Sequence, residues 1–169
     1  LHSYTENISL LSRYQVLIYL SGEGMKEGEY RVLESYLQAG GNLLLTGTDV
    51  MLGSEYAREL MRLRVVGDGP FRGDSSVELP DHPIMSGPYG NLSEKEVYTS
   101  AEDDHDAVYA SSDLGSRAVA VLWDGHTKVS AAVLPSWGRA VFWNGNGSAD
   151  WTSVTALGEV FRNTVHWLL

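Results

Sequence analysis

Three stretches of this sequence pass from an apolar run into small polar residues able to do chemistry. Ser21-Gly22-Glu23-Gly24 follows Tyr14-Gln15-Val16-Leu17-Ile18-Tyr19-Leu20, and Thr46-Gly47-Thr48-Asp49 follows Leu43-Leu44-Leu45. Asn144-Gly145-Asn146-Gly147-Ser148-Ala149-Asp150 follows Ala140-Val141-Phe142-Trp143. Thr48 is a nucleophile only beside a base, and no histidine is near it in sequence. The plainer role for Thr48 and Asp49 is to cap a helix. Asn144, Asn146, Ser148 and Asp150 alternate oxygen side chains of the kind that hard cations bind. Only Asp150 among them ionises, and the glycines miss the spacing of a helix-loop-helix calcium loop, so a strand-to-helix loop competes with a metal site. Glu102-Asp103-Asp104-His105-Asp106 is the densest acidic run, readable as a divalent-ion site or as a solvated loop. The five histidines show no zinc spacing, and the absence of cysteine removes thiolate nucleophiles, thiolate metal sites and disulfides. No complete catalytic constellation is present, so no catalytic residue is assigned.

Elements must position these residues, and the chain is long enough for one domain. It has 169 residues, 43% of them hydrophobic, and a formal net charge of −10. That charge repels a phosphate backbone and argues against nucleic acid as a partner. No apolar run reaches membrane-spanning length, so no membrane partner is expected. The chain starts at Leu1 with residues that read as a connector, which suggests a piece of a larger protein. Tyr14 to Leu20 is rich in β-branched and aromatic residues and reads as an interior strand of the sheet. Tyr30, Leu33 and Leu37 share one face of a helix over Glu27 to Ala39, which Gly40 and Gly41 end. Leu43 to Thr46 is a buried strand, followed by a helix to about Leu63 capped by Asp49 or Ser54. Short strands are expected at Val65-Val66, Ser76 to Leu79, Val97 to Thr99, Ala107 to Ala110, Ala118 to Trp123 and Lys128 to Leu134. Asp124-Gly125 makes a hairpin turn between the last two. Arg139 to Trp143 is another strand. Thr152 to Leu169 closes as a helix, with Val154, Leu157, Phe161, Val165 and Leu168 on one face. Trp143 is expected in the core; Trp137 and Trp151 are candidates for exposure.

Three pieces together resemble a known group. They are Tyr14 to Leu20 with Gly40-Gly41-Asn42-Leu43-Leu44-Leu45-Thr46-Gly47, then Asp81-His82-Pro83-Ile84-Met85-Ser86-Gly87, then Gly138-Arg139-Ala140-Val141-Phe142-Trp143-Asn144-Gly145 before a helix ending His166-Trp167-Leu168. Their order is similar to the class I glutamine amidotransferase-like fold, in particular its ThuA-like branch and the accessory domains of large secreted bacterial enzymes. The resemblance implies a flavodoxin-like three-layer α/β/α sandwich with a mainly parallel central sheet and short antiparallel edge strands. It also implies a further strand and helix before Tyr14, where this chain has a short polar segment. Glutaminases of this fold carry a cysteine in the turn that here reads Thr46-Gly47-Thr48-Asp49. His82 is then a structural signature more than a catalyst.

The expected site lies where parallel strands end together, bringing Glu23, Thr48, Asp49, Asn144 and Asn146 towards one another. A helix N-terminus after Asp49 would face the same space. The ligand expected is a polyol or small carbohydrate, or a divalent cation, ahead of a phosphate; no other cofactor is expected. The expected function is a non-catalytic interaction or ligand-binding domain, partnered by other domains of a parent protein, with an extracellular location favoured. The alternative is a ThuA-like protein acting on sugars or a related small molecule, metal-assisted. An inert structural spacer, which needs no site at all, is the third reading.

Overall fold

The computed structural model describes residues 8–20, 24–47, 49–69, 74–92, 97–98, 105–122, 127–133, 137–144 and 155–169. The chain runs α1 (Ile8–Leu11), β1 (Val16–Leu20), α2 (Glu27–Gln38), β2 (Asn42–Gly47), α3 (Glu55–Met61) and β3 (Leu63–Gly69). β4 (Asp74–Val77), β5 (Ser86–Gly87), β6 (Gly90–Asn91), β7 (Val97–Tyr98) and β8 (His105–Ala110) follow. β9 (Ser116–Leu122), β10 (Thr127–Val133), β11 (Arg139–Asn144) and α4 (Thr155–Leu168) complete it.

The main sheet is mixed, in the order β1-β2-β11-β10-β9-β4-β7. β1, β2 and β11 are parallel neighbours, and β10, β9, β4 and β7 continue the sheet antiparallel. β3 pairs with β8, and β5 with β6, as separate ladders. β9 and β10 begin one or two residues earlier than the strands expected at Ala118 to Trp123 and Lys128 to Leu134 and match them closely in length. Their Asp124-Gly125 turn lies outside the described residues, but the antiparallel pairing is as a hairpin requires.

Helices cover both faces of β2 and β11, which explains their unbroken apolar runs. Leu43, Leu45, Ala140 and Phe142 pack with Leu33, Leu37, Ala57 and Leu60 of α2 and α3. Leu44, Val141 and Trp143 pack on the other face with Val160 and Leu168 of α4. Trp143 is fully buried, as expected. β1 is not interior. It is the sheet's edge, its Ile18 45% and its Leu20 59% exposed, because only the Leu17 and Tyr19 side packs on the α2 core. Apolar composition reports what a strand's side chains prefer; it does not report whether both neighbours are there.

The Gly40-Gly41-Asn42 stretch ties the N-terminal ends of the three parallel strands. Gly40 takes φ +88°, and Gly40 and Gly41 donate to Leu37 O and Tyr36 O, which closes α2 as a Schellman cap. Gly41 has no room for a Cβ against the Tyr36 ring. The Tyr36 hydroxyl donates to Tyr14 O (2.8 Å), and Asn42 N donates to Gln15 O (3.2 Å). Asn42 Nδ2 donates to Gln15 O (3.1 Å), and Arg139 N donates to Asn42 Oδ1 (2.8 Å). One asparagine thus bridges β1, β2 and β11, leaving their C-terminal ends for the site.

Candidate functional site

The registers place Leu20 opposite Thr46 and Gly47 opposite Asn144, so the loops after β1, β2 and β11 leave one edge of the sheet. The first two loops touch. Gly24 lies against Gly53, where a Cβ would come within 2.6 Å of the Gly53 carbonyl carbon. Ser54 Oγ donates to Met25 O (2.7 Å).

Among the expected site residues, Glu23, Thr48 and Asn146 lie outside the described residues, as do Trp151, the 145–150 loop and most of the 102–106 acidic run. Asp49 is partly buried at the start of the turn after β2, and its carbonyl accepts from Gly53 N (2.9 Å). The helix does not start beside it. α3 begins at Glu55, and the cap is Ser54, whose Oγ accepts from Ala57 N (3.3 Å). Thr48-Asp49 as a helix cap is therefore corrected in favour of Ser54: the intervening turn holds Val50 and Met51 in the core, and the helix cannot begin until they are seated.

Asn144 is fully buried at the end of β11. Its Nδ2 donates to Thr127 O (3.1 Å), and Thr127 Oγ1 accepts from Ala110 N (3.0 Å). These bonds brace β11, β10 and β8 at the edge where the loops leave. Thr127, itself buried, was not singled out by the sequence, because a lone threonine opening a strand carries no signal. Asn144→Ala should lower stability by about 1–2 kcal/mol through the lost buried hydrogen bond, readable by urea denaturation; an unchanged midpoint would contradict the brace.

The Asp81 to Gly87 motif packs its middle into the core. Ile84 and Met85 are fully buried against the α4 side of the sheet. His82 Nδ1 accepts from Ile84 N (3.3 Å), and its ring sits 5.1 Å from that of Trp167. Burial, helped by Arg117, pushes the His82 imidazole below its ordinary pKa. The folded state therefore favours neutral His82. Stability from this group is present above the unfolded histidine pKa of about 6.5 and declines as pH falls below it. Between pH 7 and pH 5 the melting temperature should fall more for the wild type than for His82→Asn; equal falls would remove His82 from the account.

The face of α4 also differs from expectation. Val160, Asn163, Thr164 and Leu168 point inward, with Phe161 and Val165 on the flank. Apolar spacing missed this because the inward row contains an asparagine that clamps the β5–β6 hairpin. Tyr89 N donates to Asn163 Oδ1 (3.0 Å), and Asn163 Nδ2 donates to Gly90 O (3.1 Å). Trp137 is partly buried beneath Arg62. Among the described residues, no three His, Asp or Glu side chains gather as a metal site would require.

No protein-family profile matches this chain, and no curated protein matches it in sequence. Solved structures do match in fold. A cytoplasmic protein from Salmonella typhimurium is 13% identical with a TM-score of 0.69, covering 96% of this chain and 74% of its own. A ThuA-like protein from Bacteroides uniformis is 11% identical with a TM-score of 0.69, covering 98% and 74%. A β-galactosidase from Bacillus circulans is 15% identical with a TM-score of 0.62, covering 96% of this chain but 24% of its own. The chain thus spans about three quarters of the two smaller neighbours and about a quarter of the glycosidase. At these identities the likeness is one of fold: the chain is similar to ThuA-like structures.

Proposed function

We propose that this chain is a non-catalytic interaction or ligand-binding domain, of the class I glutamine amidotransferase-like kind, within a larger secreted bacterial protein. The three-layer flavodoxin-like sandwich belongs to this reading. The observation that carries it is the β1 edge: among the described residues no strand pairs with β1 on its outer side, and Ile18 and Leu20 are exposed there. Natural proteins blunt such edges with charge, proline or a covering segment, and Val16 to Leu20 has neither charge nor proline. The covering segment in this reading is an extended stretch from another domain of the parent protein. The lack of cysteine supports the non-catalytic part, since amide transfer in this fold uses a thiolate at the strand-to-helix turn.

The test is binding between this domain and the remainder of its parent, expressed separately and measured by sedimentation. Ile18→Lys with Leu20→Lys should weaken the association at least tenfold, about 1.4 kcal/mol, while the melting temperature holds. Undiminished binding by the double variant would move the interface elsewhere.

The meeting of the first two loops beside Asp49 favours one second reading, a ThuA-like protein acting on sugars or a related small molecule with a divalent cation. Asp49→Ala would then abolish sugar or cation binding measured by calorimetry. An equal titration by wild type and variant would refute it.

A further inference from the structure

A second surface, along α3 and β3 and meeting the turn after β2 only at Leu52, carries a charge pattern at odds with the rest of the chain. The protein bears a net −10 and has 12 lysines and arginines in all. Three of these, Arg58, Arg62 and Arg64, line one cleft of about 740 Å³ between α3 and β3, and among the described residues Glu59 is the one carboxylate lining it. Among the described residues the one salt bridge is Arg31 to Glu27, so none of the three pairs with a described carboxylate.

Each guanidinium is held differently. Arg58 Nη1 donates to Met51 O (2.7 Å) and Leu52 O (3.1 Å), which fixes its fork at the mouth of the cleft. Arg62 lies 5.7 Å over the Trp137 ring. Its backbone is left-handed, with φ 58° and ψ 42°, at the end of α3. Among the described residues it is the one non-glycine with positive φ. A residue other than glycine or asparagine there costs on the order of 1 kcal/mol, so the fold holds an arginine where a cheaper residue would close the helix. Arg64 is exposed on β3. Trp137 precedes β11, which sets this end of the cleft at the sheet edge opposite the loops described above.

The rest of the wall is apolar and wet. Leu52 is 40%, Val66 66% and Leu114 38% exposed. Planar guanidinium forks recognise carboxylate, sulfonate or phosphate oxygens bidentately. Volumes of roughly 300–1,000 Å³ suit small molecules. The geometry points to a binding site for an amphipathic anion: one acidic head group seated among Arg58, Arg62 and Arg64, and an aromatic or alkyl body lying on Leu52, Val66 and Leu114.

Two probes of matched shape test this. Anilinonaphthalene sulfonate carries an anionic group on a two-part aromatic body; N-phenyl-1-naphthylamine has the same rings without the charge. The sulfonate should bind saturably, one per chain, with a rise in fluorescence. Arg64→Gln combined with Arg62→Asn, the second chosen because asparagine tolerates the left-handed backbone, should weaken it about tenfold. The neutral probe should bind both proteins equally, and far-ultraviolet circular dichroism should show the variant folded. Sulfonate binding that is non-saturable, that is unchanged in the variant, or that falls in step with the neutral probe would overturn the proposal. If that pair unfolds the chain, Arg64→Gln alone carries the test, with a several-fold loss for the sulfonate only.

Discussion

Gly138→Ala is expected to lower the folding free energy by about 3 kcal/mol or more, in the range of the severe single substitutions. For a domain of this length that is a fall of roughly 10 °C in melting temperature. Gly138 is buried, and a Cβ there would overlap the Gly41 carbonyl oxygen and lie 2.6 Å from its carbon. The obstacle is backbone and cannot swing aside. Gly41 N is bonded to Tyr36 O (3.0 Å), Gly41 is pressed on the Tyr36 ring, and Asn42 beyond it is tied to both neighbouring strands. Relief requires parting β2 from β11 where their ladder begins. Gly28→Ala supplies the contrast. Gly28 lies in α2 with nothing within 4 Å of its Cβ position, so the same substitution should stabilise by about 0.5–1 kcal/mol. Thermal and urea denaturation of both variants checks the pair; effects of the same sign would contradict the packing described.

Asn163→Ala should cost about 2 kcal/mol, because it removes two partly buried hydrogen bonds, those of Tyr89 N–H and Gly90 C=O, each worth about 1 kcal/mol. Asn163 is fully buried on α4. Gly87 is pressed on it closely enough that a Cβ would come within 2.6 Å of its Cγ. The β5–β6 hairpin holds Ile84, Met85 and Leu92 in the core, so unlatching it exposes all three. Hydrogen exchange over 84–92 should accelerate in the variant beyond the rest of the chain. Asn163→Asp keeps the acceptor but sets a buried carboxylate against the Gly90 carbonyl oxygen, and at neutral pH should be no more stable than alanine. A loss below about 0.5 kcal/mol for alanine, the size of a neutral surface change, would mean the hairpin is held elsewhere.

Much of the parallel half was legible in the sequence because both its signals are local. Buried strands in a parallel pair lack polar residues, and Leu43 to Leu45 and Ala140 to Trp143 show this directly. The double glycine marked the end of α2 because a left-handed cap and a ring-packed position both exclude a side chain. What stayed hidden depends on partners far away in sequence. Asn163 reads as a polar interruption in a helix until the hairpin 73 and 74 residues away is seen to need it. Ile18 and Leu20 read as core residues until β1 is found at the edge. Of the expected site, the convergence of strand ends followed from topology and was legible. The bond from Asn144 to Thr127 was not, because nothing local to a strand-end asparagine names a partner 17 residues away. The arginine cleft escaped because Arg58, Arg62 and Arg64 are spaced across a helix end and a strand start, where no single periodicity groups them.

The most direct test of the interaction-domain reading is hydrogen–deuterium exchange over Val16–Leu20, comparing the isolated domain with the same domain inside its full-length parent. In the isolated domain the β1 amides that point away from β2 should exchange quickly, while those of β2 and β11 stay protected. In the parent the same β1 amides should slow to the range of β2, because an extended segment pairs with that edge. Equal, fast exchange of Val16–Leu20 in both would show an edge that nothing covers, and would contradict the account.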